Sequence, residues 1–100
     1  MRDDRHPRPR AAALSYDRAD RAPRVVAKGE GRIAEEILAR AREAGVPIHA
    51  SRELSAMLLQ VQLDDTIPPQ LYVAVAEVLA WAYRIEHGDQ AASAAAAAAG

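Results

Sequence analysis

QLYVAVAEVLAWAYRIEH, residues 70–87, constrains this chain more than any other stretch. At helical spacing Leu71, Val75, Val78, Leu79, Ala82 and Ile85 form one stripe, and Tyr72, Ala76 and Tyr83 widen it. A helix that is apolar over more than half its girth must be covered on more than one side, so this one is expected to be the spine of the core. Pro68 and Pro69 open it, since a first helical turn does not need their missing N–H groups, and Gly88 closes it.

The remaining segments supply the cover. AAALSYD (11–17) places Leu14 and Tyr16 on one sheet face with Ala12 and reads as a strand. After a polar connection ending in Pro23, RVVAK (24–28) reads as a second strand. Gly29 and Gly31 bracket a turn. RIAEEILARAREA (32–44) then forms an amphipathic helix with Ile33, Ala34, Ile37, Leu38, Ala41 and Ala44 on one face, stopped by a left-handed Gly45. VPIHA (46–50) is a third strand, parallel to the second through a right-handed crossover. Ser51 caps a short helix whose Leu54, Met57, Leu58 and Val61 face inward. The predicted fold class is α+β: a small sheet of about three strands containing a right-handed βαβ unit, surrounded by three helices.

With 100 residues there is room for one small domain. Residues 1–10, MRDDRHPRPR, read as a disordered basic arm, residues 11–87 as the working domain, and residues 88–100 as an alanine-rich low-complexity tail, disordered or lightly helical. Thirteen basic and fourteen acidic side chains leave a formal charge of −1, which points to neither nucleic acid nor acidic lipid. The absence of cysteine removes disulfides, thiol catalysis and Cys-based zinc sites. No apolar run reaches the ~18 residues of a membrane span, and a soluble cytoplasmic chain is expected.

Lys28-Gly29-Glu30-Gly31 follows a strand and precedes a helix, which is where a phosphate cradle would stand. A Walker loop needs Gly-Lys followed by Ser or Thr, and here Lys28 precedes the glycine with no hydroxyl after it. A dinucleotide fingerprint would place its third glycine at Ala34, and the chain has little room for a second mononucleotide half. A tight strand-to-helix turn is the preferred reading, with a small nucleotide-dependent enzyme as the alternative from another class. His6, His49 and His87 have no ligand spacing, and Glu53, Asp64 and Asp65 have no nucleophile or histidine beside them. Neither metal, cofactor nor catalytic residue is expected. Trp81, Tyr72 and Tyr83 sit at helical intervals and read as core or interface.

ALSYD (13–17), APRVVAKG (22–29), GVPIHA (45–50) and IPPQLYVAVAEVLAWAY (67–83), in that order, closely resemble the cytoplasmic domain of the FlhB/YscU family, which includes EscU and HrcU. These are switch proteins of the flagellar and type III secretion export apparatus. The resemblance implies a small sheet wrapped by helices and a non-enzymatic role in protein export. It also implies a cytoplasmic location at the inner-membrane export apparatus, with export gate proteins and export substrates as partners. Neither nucleic acid nor a membrane span is implied for this part. Family members carry an N-terminal membrane domain, so the chain reads as a stand-alone paralogue of the soluble half.

The family also carries Asn-Pro-Thr-His ahead of this first strand and cleaves itself between Asn and Pro, the asparagine amide closing a succinimide ring. Counting back from Tyr16 and Asp17, that motif falls on His6, Pro7, Arg8 and Pro9, of which Pro7 alone matches. An imidazole cannot close the ring, and no self-cleavage is expected. Ala50, Arg52, Glu53, Ala56 and Gly31 depart from the family pattern as well. The family's substrate-receiving apolar patch maps by resemblance onto Ala22, Pro23, Ala76 and Leu79. A second reading within the same resemblance is a regulator that mimics the switch domain and competes for its partners.

Overall fold

The computed structural model describes residues 8–17, 22–86 and 93–100. In chain order they form β1 (Arg10–Asp17), β2 (Arg24–Glu30), α1 (Arg32–Ala44), β3 (Ile48–Ala50) and α2 (Arg52–Leu58). A 3-10 turn (Pro69–Leu71) then leads into α3 (Tyr72–Glu86), and β4 (Ser93–Ala99) follows. The result is an α+β fold with a four-stranded mixed sheet in the order β2-β1-β4-β3. β1 is antiparallel to both β2 and β4, and β3 is parallel to β4.

Two expectations are corrected by this topology. The alanine-rich segment read as a tail beyond the domain supplies β4, paired on both sides in the middle of the sheet. It is neither helical nor outside the core, because its backbone donors and acceptors complete two ladders at once. β2 and β3 run in the same direction, as expected, with β1 and β4 between them. The first strand also begins at Arg10, so the last residue assigned to the N-terminal arm belongs to the sheet.

Both faces of the sheet are covered. On one, Ala12, Leu14, Val25, Ala96 and Ala98 pack with Leu54, Leu58, Val61, Ile67, Leu71, Val75, Val78, Leu79 and Ala82 from α2, α3 and the segment between them. On the other lies α1, whose Ala34 and Ala41 are buried. Ala11 and Ala97, also buried, are absent from the α2–α3 cluster and alternate with its members along β1 and β4. Alanine on both sides of that contact allows a close approach of helix and sheet.

The helix boundaries follow local chemistry. Ser51 Oγ accepts the Leu54 N–H at 3.2 Å and caps α2. Gly45 adopts φ 74°, and the Val46 N–H donates to the Ala41 carbonyl at 2.8 Å, closing α1. Met57, expected inside, is 46% exposed, whereas Ser55 is buried with its hydroxyl donating to the Arg52 carbonyl. The inward arc of this one short helix runs through Leu54, Ser55 and Leu58, which leaves Met57 outside. Ile33 and Ile85, at the ends of their predicted stripes, are also exposed, as is Ala44.

Candidate functional site

The glycine turn is built into the fold. Lys28 points to the same face as Val25, because a bulge at Val26 shifts the β1–β2 register between Ala13↔Ala27 and Leu14↔Val25. Its ammonium donates to the Leu59 carbonyl at 2.8 Å and the Val61 carbonyl at 2.6 Å, tying β2 to the segment after α2. Gly31 adopts φ 62°, ψ −127°, a region in which side chains are strained, and its N–H donates to the Pro9 carbonyl at 2.8 Å. A Cβ at Gly29 would overlap the Ile33 side chain. The lysine and the helix-entry N–H that would face a phosphate are both committed to protein carbonyls.

At the opposite end of β1 the chain forms a groove of about 690 Å³. Its long wall is one face of α3, where Tyr72, Ala76, Leu79 and Tyr83 recur at helical spacing beside Val75, Ala80 and Arg84. Tyr16 at the end of β1 and the connection Ala22-Pro23 make the other wall. All four residues of the patch implied by the resemblance, Ala22, Pro23, Ala76 and Leu79, therefore line one cavity. They are not equivalent. Leu79 is 6% exposed and forms floor continuous with the core, Ala76 is exposed at the rim, and Ala22 and Pro23 are half-buried.

Backbone pairing fixes the Ala22-Pro23 wall. The Pro23 carbonyl accepts the Ile67 N–H at 3.3 Å, the Val25 carbonyl accepts the Asp64 N–H at 2.8 Å, and Arg24 bridges to Thr66. Ile67, 1% exposed, then anchors that loop in the core beside α3. Small side chains at 22, 76 and 80 keep the cleft open, while Tyr16 and Tyr72, 37% and 47% exposed, offer apolar rings with polar tips at its edges. Arg84 is the one formally charged residue among the lining residues, so the cleft carries an apolar wall with a cation at one end.

The tyrosines, Ala80 and Arg84 were not among the residues assigned to the patch from sequence. Tyr72 and Tyr83 were legible as the flank of the long helix, at 72, 76, 79 and 83; nothing local linked Tyr16 to that face. Of the degenerate cleavage motif, His6 and Pro7 lie outside the described residues. Arg8 and Pro9 sit against Gly31, roughly 20 Å from the groove at the strand rise of ~3.3 Å per residue. His49 meets Trp81 edge to face at 5.7 Å, with its buried Nδ1 lacking a hydrogen-bond partner among the described residues. Among the described residues no three His, Cys, Asp or Glu side chains cluster, and no helix is long and apolar enough to cross a membrane.

The profile of the FlhB HrpN YscU SpaS family matches residues 6–82. The Bacillus subtilis protein YlqH is 42% identical over 78 residues, covering 77% of this chain and 84% of its own length. Flagellar biosynthetic protein FlhB of Escherichia coli is 41% identical over 78 residues, and that of Salmonella typhimurium 42% over 78 residues. Each of those two alignments covers 76% of this chain and 20% of the relative, so the chain spans about a fifth of the length of the FlhB proteins it matches. β1, β2, α1, β3, α2 and most of α3 fall within the shared region, and β4 falls outside it.

Proposed function

Because this chain belongs to the FlhB HrpN YscU SpaS family, we propose that it serves flagellar or type III protein export as a non-enzymatic binding component that receives an apolar segment of export substrates in the α3 groove. One observation carries the reading: two stretches far apart in sequence, Ala22-Pro23 and Ala76 with Leu79, line a single cleft with tyrosines at its rim. Burying one Leu- or Phe-sized side chain there contributes about 1.5–3 kcal/mol. Ordering the peptide offsets part of that, so the interaction is transient, as suits a protein handed onward during export. Such a component works in the cytoplasm beside the inner-membrane export apparatus. With His6 standing where the ring-closing asparagine would be, it does so as an uncleaved chain.

The test is an NMR titration of the labelled full chain with N-terminal segments of export substrates. Saturable shifts at Ala22, Ala76, Ala80 and Tyr83, abolished by Ala76→Glu in a variant that stays folded, are expected. A folded chain whose spectrum does not change with any segment, and which co-purifies with export gate proteins instead, overturns substrate reception in favour of gate docking.

A further inference from the structure

The centre of the sheet is filled by a strand with almost no identity of its own. Ser93–Ala99 reads SAAAAAA, and Ala96, Ala97 and Ala98 are each 0% exposed, so both faces of the strand are enclosed over those three residues. Alanine contributes only one methyl group per residue to apolar burial. The strand is therefore held chiefly through its backbone, by β1 on one side and β3 on the other. A one-residue slip replaces alanine with alanine, which is the condition under which register and pairing partner are weakly specified. The local register key is Gly100, which exchanges backbone hydrogen bonds with Arg10 at 3.0 and 3.1 Å. A Cβ there would lie 2.7 Å from Arg52 Cα and 2.8 Å from Ser55 Oγ.

β4 also lies outside the region shared with the family. The family match ends at residue 82, and with β4 withdrawn the shared strands β1, β2 and β3 would leave between β1 and β3 a gap one strand wide with two unpaired edges. We propose that this gap is a strand-acceptor site, and that it takes the alanine strand of a second copy of this chain as well as the chain's own. The occupant is set by the slot: enclosed faces admit alanine-sized side chains and the α2 end admits glycine, a combination that residues 93–100 of another copy carry by construction. Exchange conserves every contact of the sheet, the condition that makes strand swapping a low-cost route to dimers. No groove-lining residue lies in β4, so the exchanged dimer carries two intact grooves in one particle. The chain's own strand has the advantage of a high effective concentration, so the exchanged form grows as protein concentration rises.

Ala13 and Ala97 are register partners. Because Arg10 and Gly100 exchange hydrogen bonds, alternation makes Ala13 and Ala97 a pair without mutual bonds, with Cα atoms about 4.5 Å apart, within disulfide range. The chain contains no cysteine to interfere. Full-length Ala13→Cys and Ala97→Cys variants are mixed at high concentration, incubated and oxidised. A covalent species of twice 10.8 kDa with a mapped 13–97 disulfide is expected in the mixture and in neither variant alone. Ala11→Cys with Ala99→Cys repeats the test at a second register pair in case the first site tolerates sulfur poorly. Sedimentation of the unmodified chain gives a thiol-free readout, with a dimer fraction that rises with concentration. A chain that stays monomeric throughout, or a dimer that yields no mixed disulfide while a single chain carrying both Ala13→Cys and Ala97→Cys closes internally, overturns the proposal.

Discussion

The ammonium of Lys28 shows how a residue can stand in a phosphate-binding pattern and do something else. It satisfies two carbonyls just after α2, at 2.8 and 2.6 Å, and so joins the edge strand β2 to the segment that follows α2. Charged hydrogen bonds contribute about 1.5–3 kcal/mol each, part of which water recovers once the side chain is gone. Lys28→Met is therefore expected to lower stability by about 2–3 kcal/mol, read as a lower urea midpoint with an unchanged slope. A midpoint equal to that of the parent chain would show the clamp to be dispensable. Gly31→Ala, which forces a side chain into φ 62° against Arg8, is expected to cost about 1–3 kcal/mol in the same measurement. Neither role was legible from local sequence. The glycine turn was recognisable, but the partners of Lys28 lie 31 and 33 residues away.

At the scale of elements, helical phase separates core from surface more sharply than composition does. In α2, Met57 and Leu58 are adjacent apolar residues, yet Leu58 is 0% and Met57 46% exposed. Leu58→Ala is expected to cost about 2–5 kcal/mol and Met57→Ala less than about 0.5 kcal/mol, measured by thermal or chemical unfolding. Equal losses would contradict the assigned phase. In α3 the distinction bears on function: Val75 and Leu79 hold the helix to the sheet, whereas Ala76 and Ala80 are exposed along the groove. Ala76→Glu and Ala80→Glu should leave stability within about 0.5 kcal/mol and weaken substrate-segment binding at least tenfold, roughly the 1.4 kcal/mol equivalent of one poorly accommodated charge. Loss of fold in either variant would mean that α3 packs in a different rotation.

For the molecule as a whole, the sheet is continuous only with β4 in place, so residues 93–99 are expected to share the protection of the core. The Ala96 and Ala98 amides face β1 and the Ala97 amide donates to the Pro47 carbonyl at 2.9 Å. Native-state hydrogen exchange should find all three protected to a degree comparable with Leu14 in β1. Exchange at the rate of an unstructured peptide would remove β4 from the sheet. Ala97→Val, which adds volume at a fully buried position on the α1 face, should cost about 1–3 kcal/mol by overpacking. The same enclosure sets the stringency of the proposed strand exchange.

The sequence by itself determined what local chemistry determines. The apolar stripe of α3, the Ser51 cap, the Gly45 stop and the β-branched pair at Val25 and Val26 each announce an element within a few residues, because side-chain spacing and caps act over one or two turns. The order of those elements carried the family likeness. Tertiary structure alone decided which strands neighbour each other. A run of alanine has no period and no large side chain, so nothing in SAAAAAA distinguishes a central strand from a tail until two edges with unpaired backbone groups lie on either side of it. It likewise decided the groove, whose walls come from the end of β1, the start of β2 and one face of α3, brought together because Ile67 and Leu79 bury in the same core.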